Sequence, residues 1–139
     1  MKMVITKPKL AYMRDYLFFK TGKCYCKIKF SDILFVHAEK KLVHVVTTTQ
    51  THTVLNTFKE VEKNLPQSIF YKVHRSYIIS LDHADKFDSE FVYMGNKKIP
   101  ISDRYRILLR NAVAILTCYT ESLRLNGDDI DNLLRNLNQ

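Results

Sequence analysis

From Asp15 to Leu55 the chain repeats one pattern: a short run of β-branched and aromatic residues, then a break, about every ten residues. Asp15–Lys20 reads DYLFFK, and Thr21-Gly22-Lys23 is a turn signal. Cys24–Phe30 alternates as CYCKIKF, and Ser31-Asp32 breaks it. Ile33–His37 is apolar, and Ala38-Glu39-Lys40-Lys41 is a polar connection. Leu42–Thr49 is strongly β-prone, Gln50 interrupts it, and Thr51–Leu55 follows. Strands this short and this close leave no room for crossover helices. The pattern predicts an antiparallel sheet or sandwich rather than βαβ units.

The period then changes. Phe58, Val61 and Leu65 fall at i, i+3 and i+7, one face of a short helix that Asn56 or Thr57 can cap and Pro66 ends. Strand character returns at Tyr77–Leu81, Ala84–Asp88, Glu90–Tyr93 and Lys98–Ile101, with a turn at Met94-Gly95-Asn96-Lys97. Ser102 begins a helix in which Ile107, Leu108, Val113, Ile115 and Leu116 supply the apolar contacts. Asp128–Leu137 sets Ile130, Leu133, Leu134 and Leu137 on one further helical stripe, after Gly127.

Charge narrows the partner. The 139 residues carry a net charge of +8, unevenly spread. Residues 1–116 hold 20 Lys+Arg against 10 Asp+Glu, whereas residues 117–139 hold 2 against 4. A basic body with an acidic tail suits a polyanion, nucleic acid before anionic membrane. No apolar run has the length of a membrane span, and the N-terminus shows no signal-peptide pattern, so no membrane association is expected. Three cysteines, Cys24, Cys26 and Cys118, make neither a disulfide framework nor a zinc site. A reducing cytoplasm is the expected compartment. Cys24 and Cys26 share one strand face and are expected to fill core space.

Catalytic chemistry has no support. There is no nucleophile elbow, phosphate-binding loop, dinucleotide fingerprint or metalloprotease helix. His37, His44, His52, His74 and His83 do not sit at metal-ligand spacing, so no metal or other cofactor is expected. His44 and His52 read as sheet-surface residues. Carboxylates are scattered, and an enzyme is not expected.

Three basic segments remain. They are Lys40-Lys41 between two strands, Tyr71–Tyr77 (YKVHRSY) between the short helix and a strand, and Ser102–Arg106 (SDRYR) at a strand-to-helix junction. Each reads as a loop that mixes Lys or Arg with hydroxyl, His or Tyr donors. Lysine meets phosphate as a point charge, and arginine can fork onto guanine O6 and N7.

Five stretches in order resemble one known family: Ile33–Ala38, Leu42–Thr47, Leu55–Leu65, Phe70–Leu81 and Ile99–Tyr105. Phe70-Tyr71-Lys72-Val73-His74-Arg75-Ser76-Tyr77-Ile78-Ile79-Ser80-Leu81 is the most specific of them. The sequence resembles the LytTR DNA-binding domain, the output domain of many bacterial two-component response regulators, over about residues 15–116. Residues 1–14 are then an N-terminal extension, and residues 117–139 a C-terminal helical extension without a counterpart.

The resemblance implies a mainly β fold, an elongated stack of short antiparallel sheets with small helices. It implies that loops enter successive major grooves. By position, base contacts fall on Lys40 and Lys41, on Arg75 and on Arg104, with Lys72 and Ser102 at phosphates. His74 matches a hallmark position and either holds its loop or contacts DNA. Val73, Tyr77, Ile79 and Ile101 are expected in the core. Asp103 stands where the family often has Arg, Lys72 replaces a common Arg, and Ser80 a common Asn. The function implied is sequence-specific transcription regulation on double-stranded DNA, as a homodimer over direct repeats. The chain is either a stand-alone regulator or a fragment without its receiver. The rival is a protein-interaction module that docks an acidic partner through the basic face, with the C-terminal stripe as interface.

Overall fold

The computed structural model describes residues 14–119 and 134–137. Ten strands form three antiparallel sheets, as the spacing of the apolar runs predicts. Strands β1 (Tyr16–Thr21) and β2 (Cys24–Lys29) make a hairpin closed at Gly22, whose φ of 60° is free of strain without a Cβ. A central sheet of order β5-β4-β3-β7-β6 comprises β3 (Ile33–Glu39), β4 (Leu42–Thr47), β5 (Thr51–Val54), β6 (Phe70–His74) and β7 (Tyr77–Ser80). A third sheet, order β10-β9-β8, comprises β8 (Lys86–Phe87), β9 (Phe91–Met94) and β10 (Lys97–Pro100).

Two helices complete the described body. Helix α1 spans Phe58–Lys63, and Thr57, not Asn56, is its cap: the Thr57 hydroxyl accepts the Glu60 N–H at 3.1 Å. Helix α2 spans Asp103–Ala112 after Ser102. The helical stripe foreseen at the C-terminus lies mostly outside the described residues. Of it, 134–137 are helical, and Leu134 and Leu137 are exposed.

The central sheet is buried on both faces. One face sends Val36, Val43, Val45 and Ile78 into a core closed by Phe30, Val61, Leu65 and the inner side of the β1–β2 hairpin. The other sends Phe35, Val73 and Ile79 against Val92, Met94 and Ile99 of the third sheet and Leu109 of α2. Each such fully buried aliphatic side chain contributes about 1.5–3 kcal/mol by leaving water. The Phe58-Val61-Leu65 face of α1 is the one that packs inward.

Several expectations are corrected. Cys24 and Cys26 are exposed rather than core, because the hairpin's inner face reaches the core only through Leu17, Phe19 and Ile28. The basic stretch after α1 is not a loop: Phe70–His74 is a strand, and the turn is reduced to Arg75-Ser76. Ala38 and Glu39 extend β3, so the preceding turn is Lys40-Lys41 alone. In α2 the buried side chain is Leu109, while Ile107 and Leu108 are exposed; the helix ends at Ala112, so half-buried Val113 and exposed Ile115 and Leu116, expected within it, lie beyond its end. Tyr105 and Leu109, four apart, face the sheet, which turns Ile107 and Leu108 outward. Val73, Ile79 and Ile101 are core as expected, and Tyr77 is half-buried.

Candidate nucleic-acid interface

Strand register brings the three basic segments to one end of the central sheet. Glu39 pairs with Leu42, so Lys40-Lys41 is the tip of the β3–β4 hairpin. His37 of β3 pairs with Tyr77 of β7, and the Ala38 N–H bonds the Ser76 carbonyl at 2.9 Å, so the Arg75-Ser76 turn stands beside that tip. The Ser102 N–H bonds the Val73 carbonyl at 2.9 Å, which fixes the start of α2 against the same end of β6. Lys40, Lys41, Arg75 and Arg104 are all exposed there.

The two turns differ in how they are held. Lys40 has a φ of 56°, a left-handed backbone that costs a side chain with a Cβ about 1–2 kcal/mol. The β6–β7 turn is tied internally, for the Ser76 N–H donates to His74 Nδ1 at 3.1 Å. His74 therefore holds its turn with one ring nitrogen.

One row of side chains crosses all five strands just below these turns. Register aligns Thr53, His44, His37, Tyr77 and His74 in neighbouring strands. His44 Nδ1 shares a hydrogen bond with Thr53 Oγ1 at 2.8 Å, and its Nε2 lies 3.9 Å from Glu39. The His37 ring stacks on Tyr77, and His74 meets Tyr77 edge-on at 5.7 Å. Burial pushes the His37 imidazole below its ordinary value; nearby Glu39 opposes this, and like charge from His44 and His74 adds to it.

In the third segment the cations separate by role. Arg104 is exposed, its guanidinium 5.6 Å from the Tyr105 ring centre. Arg106 instead turns back into the domain, donating from Nε to the Ser89 carbonyl and from Nη2 to Asp103, both at 2.7 Å. Asp103, the acidic departure beside Arg104, is thus engaged by Arg106. Lys72 is half-buried, its ammonium 5.3 Å from the Phe58 ring and 5.8 Å from Tyr105, so it braces α1 and α2. Ser102 is half-buried at the N-cap position and makes no side-chain cap bond. The roles of Arg106 and Lys72 had no signal in the sequence, because their partners come from other elements.

Among the described residues, no group of His, Cys, Asp or Glu is placed to hold a metal ion. A groove of about 730 Å³ runs between β8 and the end of α2. Its two carboxylates are spent inside the fold: Asp85 accepts the Gly95 N–H, and Asp88 accepts the Tyr93 hydroxyl and two backbone N–H groups. Those bonds, the Tyr93 hydroxyl first, hold the Asp88 carboxyl below its ordinary value.

Residues 23–114, the span holding all three basic segments, match the family model of the LytTr DNA-binding domain. The chain belongs to this family. The LytTR match agrees with relatives of known sequence. The chain is 31% identical over 90 residues to "Sensory transduction protein LytT" of Bacillus subtilis, covering 60% of this chain and 37% of that protein. It is 26% identical over 80 residues to "Sensory transduction protein LytR" of Staphylococcus epidermidis, covering 58% and 32%. The chain thus spans about a third of these relatives' length. Among solved structures, a LytTr DNA-binding domain from Bacillus cereus superposes with a TM-score of 0.61 at 25% identity, over 71% of this chain and 96% of that one. The LytTR fold here is mainly β, with short antiparallel sheets and few short helices. No helix among the described residues is long and apolar enough to cross a membrane.

Proposed function

We propose that this chain is a sequence-specific, non-enzymatic transcription regulator that sets three basic projections into successive major grooves of double-stranded DNA. One observation carries the reading: in a LytTR chain, the register places Lys40-Lys41, Arg75 and the start of α2 at one end of a rigid sheet. Arg75 and Arg104 are exposed and fork onto base edges, and Lys40 and Lys41 supply charge at a tip. His74 supports Arg75 from within the turn. Lys72 and Ser102 flank the backbone path and contribute to phosphate contact from braced positions. The chain acts in the cytoplasm and pairs on direct repeats as a homodimer.

Selection of bound sequences from a random duplex pool, followed by titration at several salt concentrations, tests this. A defined motif is expected, with log affinity falling at a slope of about −0.9 per phosphate neutralised between about 50 and 200 mM salt. Affinity indifferent to both sequence and salt refutes the reading. Removal of residues 120–139 tests pairing: single-site binding survives and cooperativity between two sites falls. A second reading, docking of an acidic protein through the same end, draws on the exposed Ile107 and Leu108 of α2 as an apolar flank. It predicts salt-sensitive binding without a preferred duplex sequence.

A further inference from the structure

The β1–β2 hairpin carries a surface that the three basic segments leave out. Its inner side, Leu17, Phe19 and Ile28, packs on the core. Its outer side is set by register: Tyr16 pairs with Lys29, Phe18 with Lys27, and Lys20 with Tyr25. Directly paired residues share a face, so each of these rows holds one ring and one ammonium group. Along β1 the order is ring, ring, cation; along β2 it runs ring, cation, cation.

The rings are open to solvent. Phe18 is 52% exposed and Tyr25 67% exposed. Lys27 Nζ lies 4.3 Å from the Tyr16 ring centre and Lys20 Nζ 5.8 Å from that of Tyr25. Tyr16 and Phe18 meet edge to face at 5.7 Å. No carboxylate occurs between Tyr16 and Lys29, and Lys23 adds a further charge at the hairpin turn. Exposed aromatic surface has an unfavourable contact with water that lysines alone do not relieve.

We infer that this outer face of the hairpin binds single-stranded nucleic acid, bases stacking on Phe18 and Tyr25 and phosphates meeting Lys20, Lys27 and Lys29. A single strand is a polyanion that alternates charge with a flat π surface. Same-face positions on a strand recur about every 6.8 Å, and each cross-strand row here sets one ring beside one ammonium group, so π surface and charge are interleaved on a comparable scale. Duplex DNA hides its base faces and would leave the rings unused. A lipid surface is met best by rings gathered at a tip, whereas here each ring has an ammonium group directly across the hairpin. An acidic peptide satisfies the lysines but not the rings. The inference stands on the hairpin and does not require the duplex reading.

The test uses the full chain and a short labelled oligo(dT), followed by fluorescence anisotropy beside a duplex carrying the selected site. Oligo(dT) binding is expected, and the double variant Phe18→Ala/Tyr25→Ala loses about tenfold or more of it. Phe18→Leu/Tyr25→Leu keeps apolar bulk without the π surface and loses binding likewise, with circular dichroism showing the fold retained. Lys20→Gln/Lys27→Gln weakens binding and flattens its salt dependence. None of these changes alters duplex affinity, and Arg75→Ala leaves oligo(dT) affinity intact. Oligo(dT) binding that ignores loss of the rings, or that vanishes with Arg75→Ala, overturns the inference. So does ring-dependent binding to phosphatidylserine vesicles without any to oligo(dT). Failure of duplex binding alone refutes the duplex reading and leaves this one standing.

Discussion

The Tyr77 ring lies flat on the His37 imidazole, ring centres 4.3 Å apart and planes 4° apart. The pair links β7 to β3 directly beneath the Lys40-Lys41 and Arg75-Ser76 turns. It ties the two projections to one another through the sheet rather than through the loops.

Burial of His37 in this position makes stability depend on pH. The His37 imidazole is held below its ordinary value, chiefly by burial, so the unfolded chain takes up the proton more readily than the folded one. Stability is then full above about pH 6.5 and declines as pH falls below it. Urea unfolding midpoints at about pH 7.5 and pH 5.5 should show the decline, and His37→Gln should make it shallower. An unchanged pH slope in His37→Gln would show that other groups cause it.

Lys40 trades stability for charge at the tip. Lys40→Gly relieves a φ of 56° and should stabilise the domain by up to about 1 kcal/mol, seen as a raised urea midpoint. The same variant should bind every duplex more weakly, and about equally so. Lys40→Ala should weaken binding to a similar extent without the gain in stability.

Arg104 and Arg106, two residues apart, should part company. Arg75→Ala and Arg104→Ala should each lose about 1–3 kcal/mol of discrimination at particular base pairs. Arg106→Ala should leave base preference unchanged and lower stability by about 1 kcal/mol, because it breaks bonds to Ser89 and Asp103. Competition with single-base duplex variants measures the first effect, and thermal unfolding the second. Uniform loss of affinity in Arg75→Ala and Arg104→Ala contradicts base readout.

Ser80 is 1% exposed, and its hydroxyl has no hydrogen-bond partner among the described residues. A buried, unpaired hydroxyl is costly, so Ser80→Ala should be neutral or stabilising by about 1 kcal/mol. A clear drop in the unfolding midpoint would reveal a partner for this hydroxyl.

The sequence by itself determined the strand-rich fold and the placement of most turns, since alternation and a glycine at φ of 60° are local properties of a few residues. It also determined the three basic segments, and the family resemblance pointed to the buried Val73, Ile79 and Ile101. It did not reveal β6, because Lys72, His74 and Arg75 in one stretch read as a solvated loop, while their pairing with β7 makes Phe70–His74 an edge strand. Nor did it show which cations are free. Lys72 is braced by rings on two helices and Arg106 by a carbonyl 17 residues away, whereas Arg75 and Arg104 project. The exposure of Cys24 and Cys26 and the inward face of α2 were likewise settled by what packs opposite them. The row from Thr53 to His74 needs β3 beside β7, strands about forty residues apart in the chain. Such pairing is decided when two hydrophobic faces close over one sheet, and no local pattern encodes it.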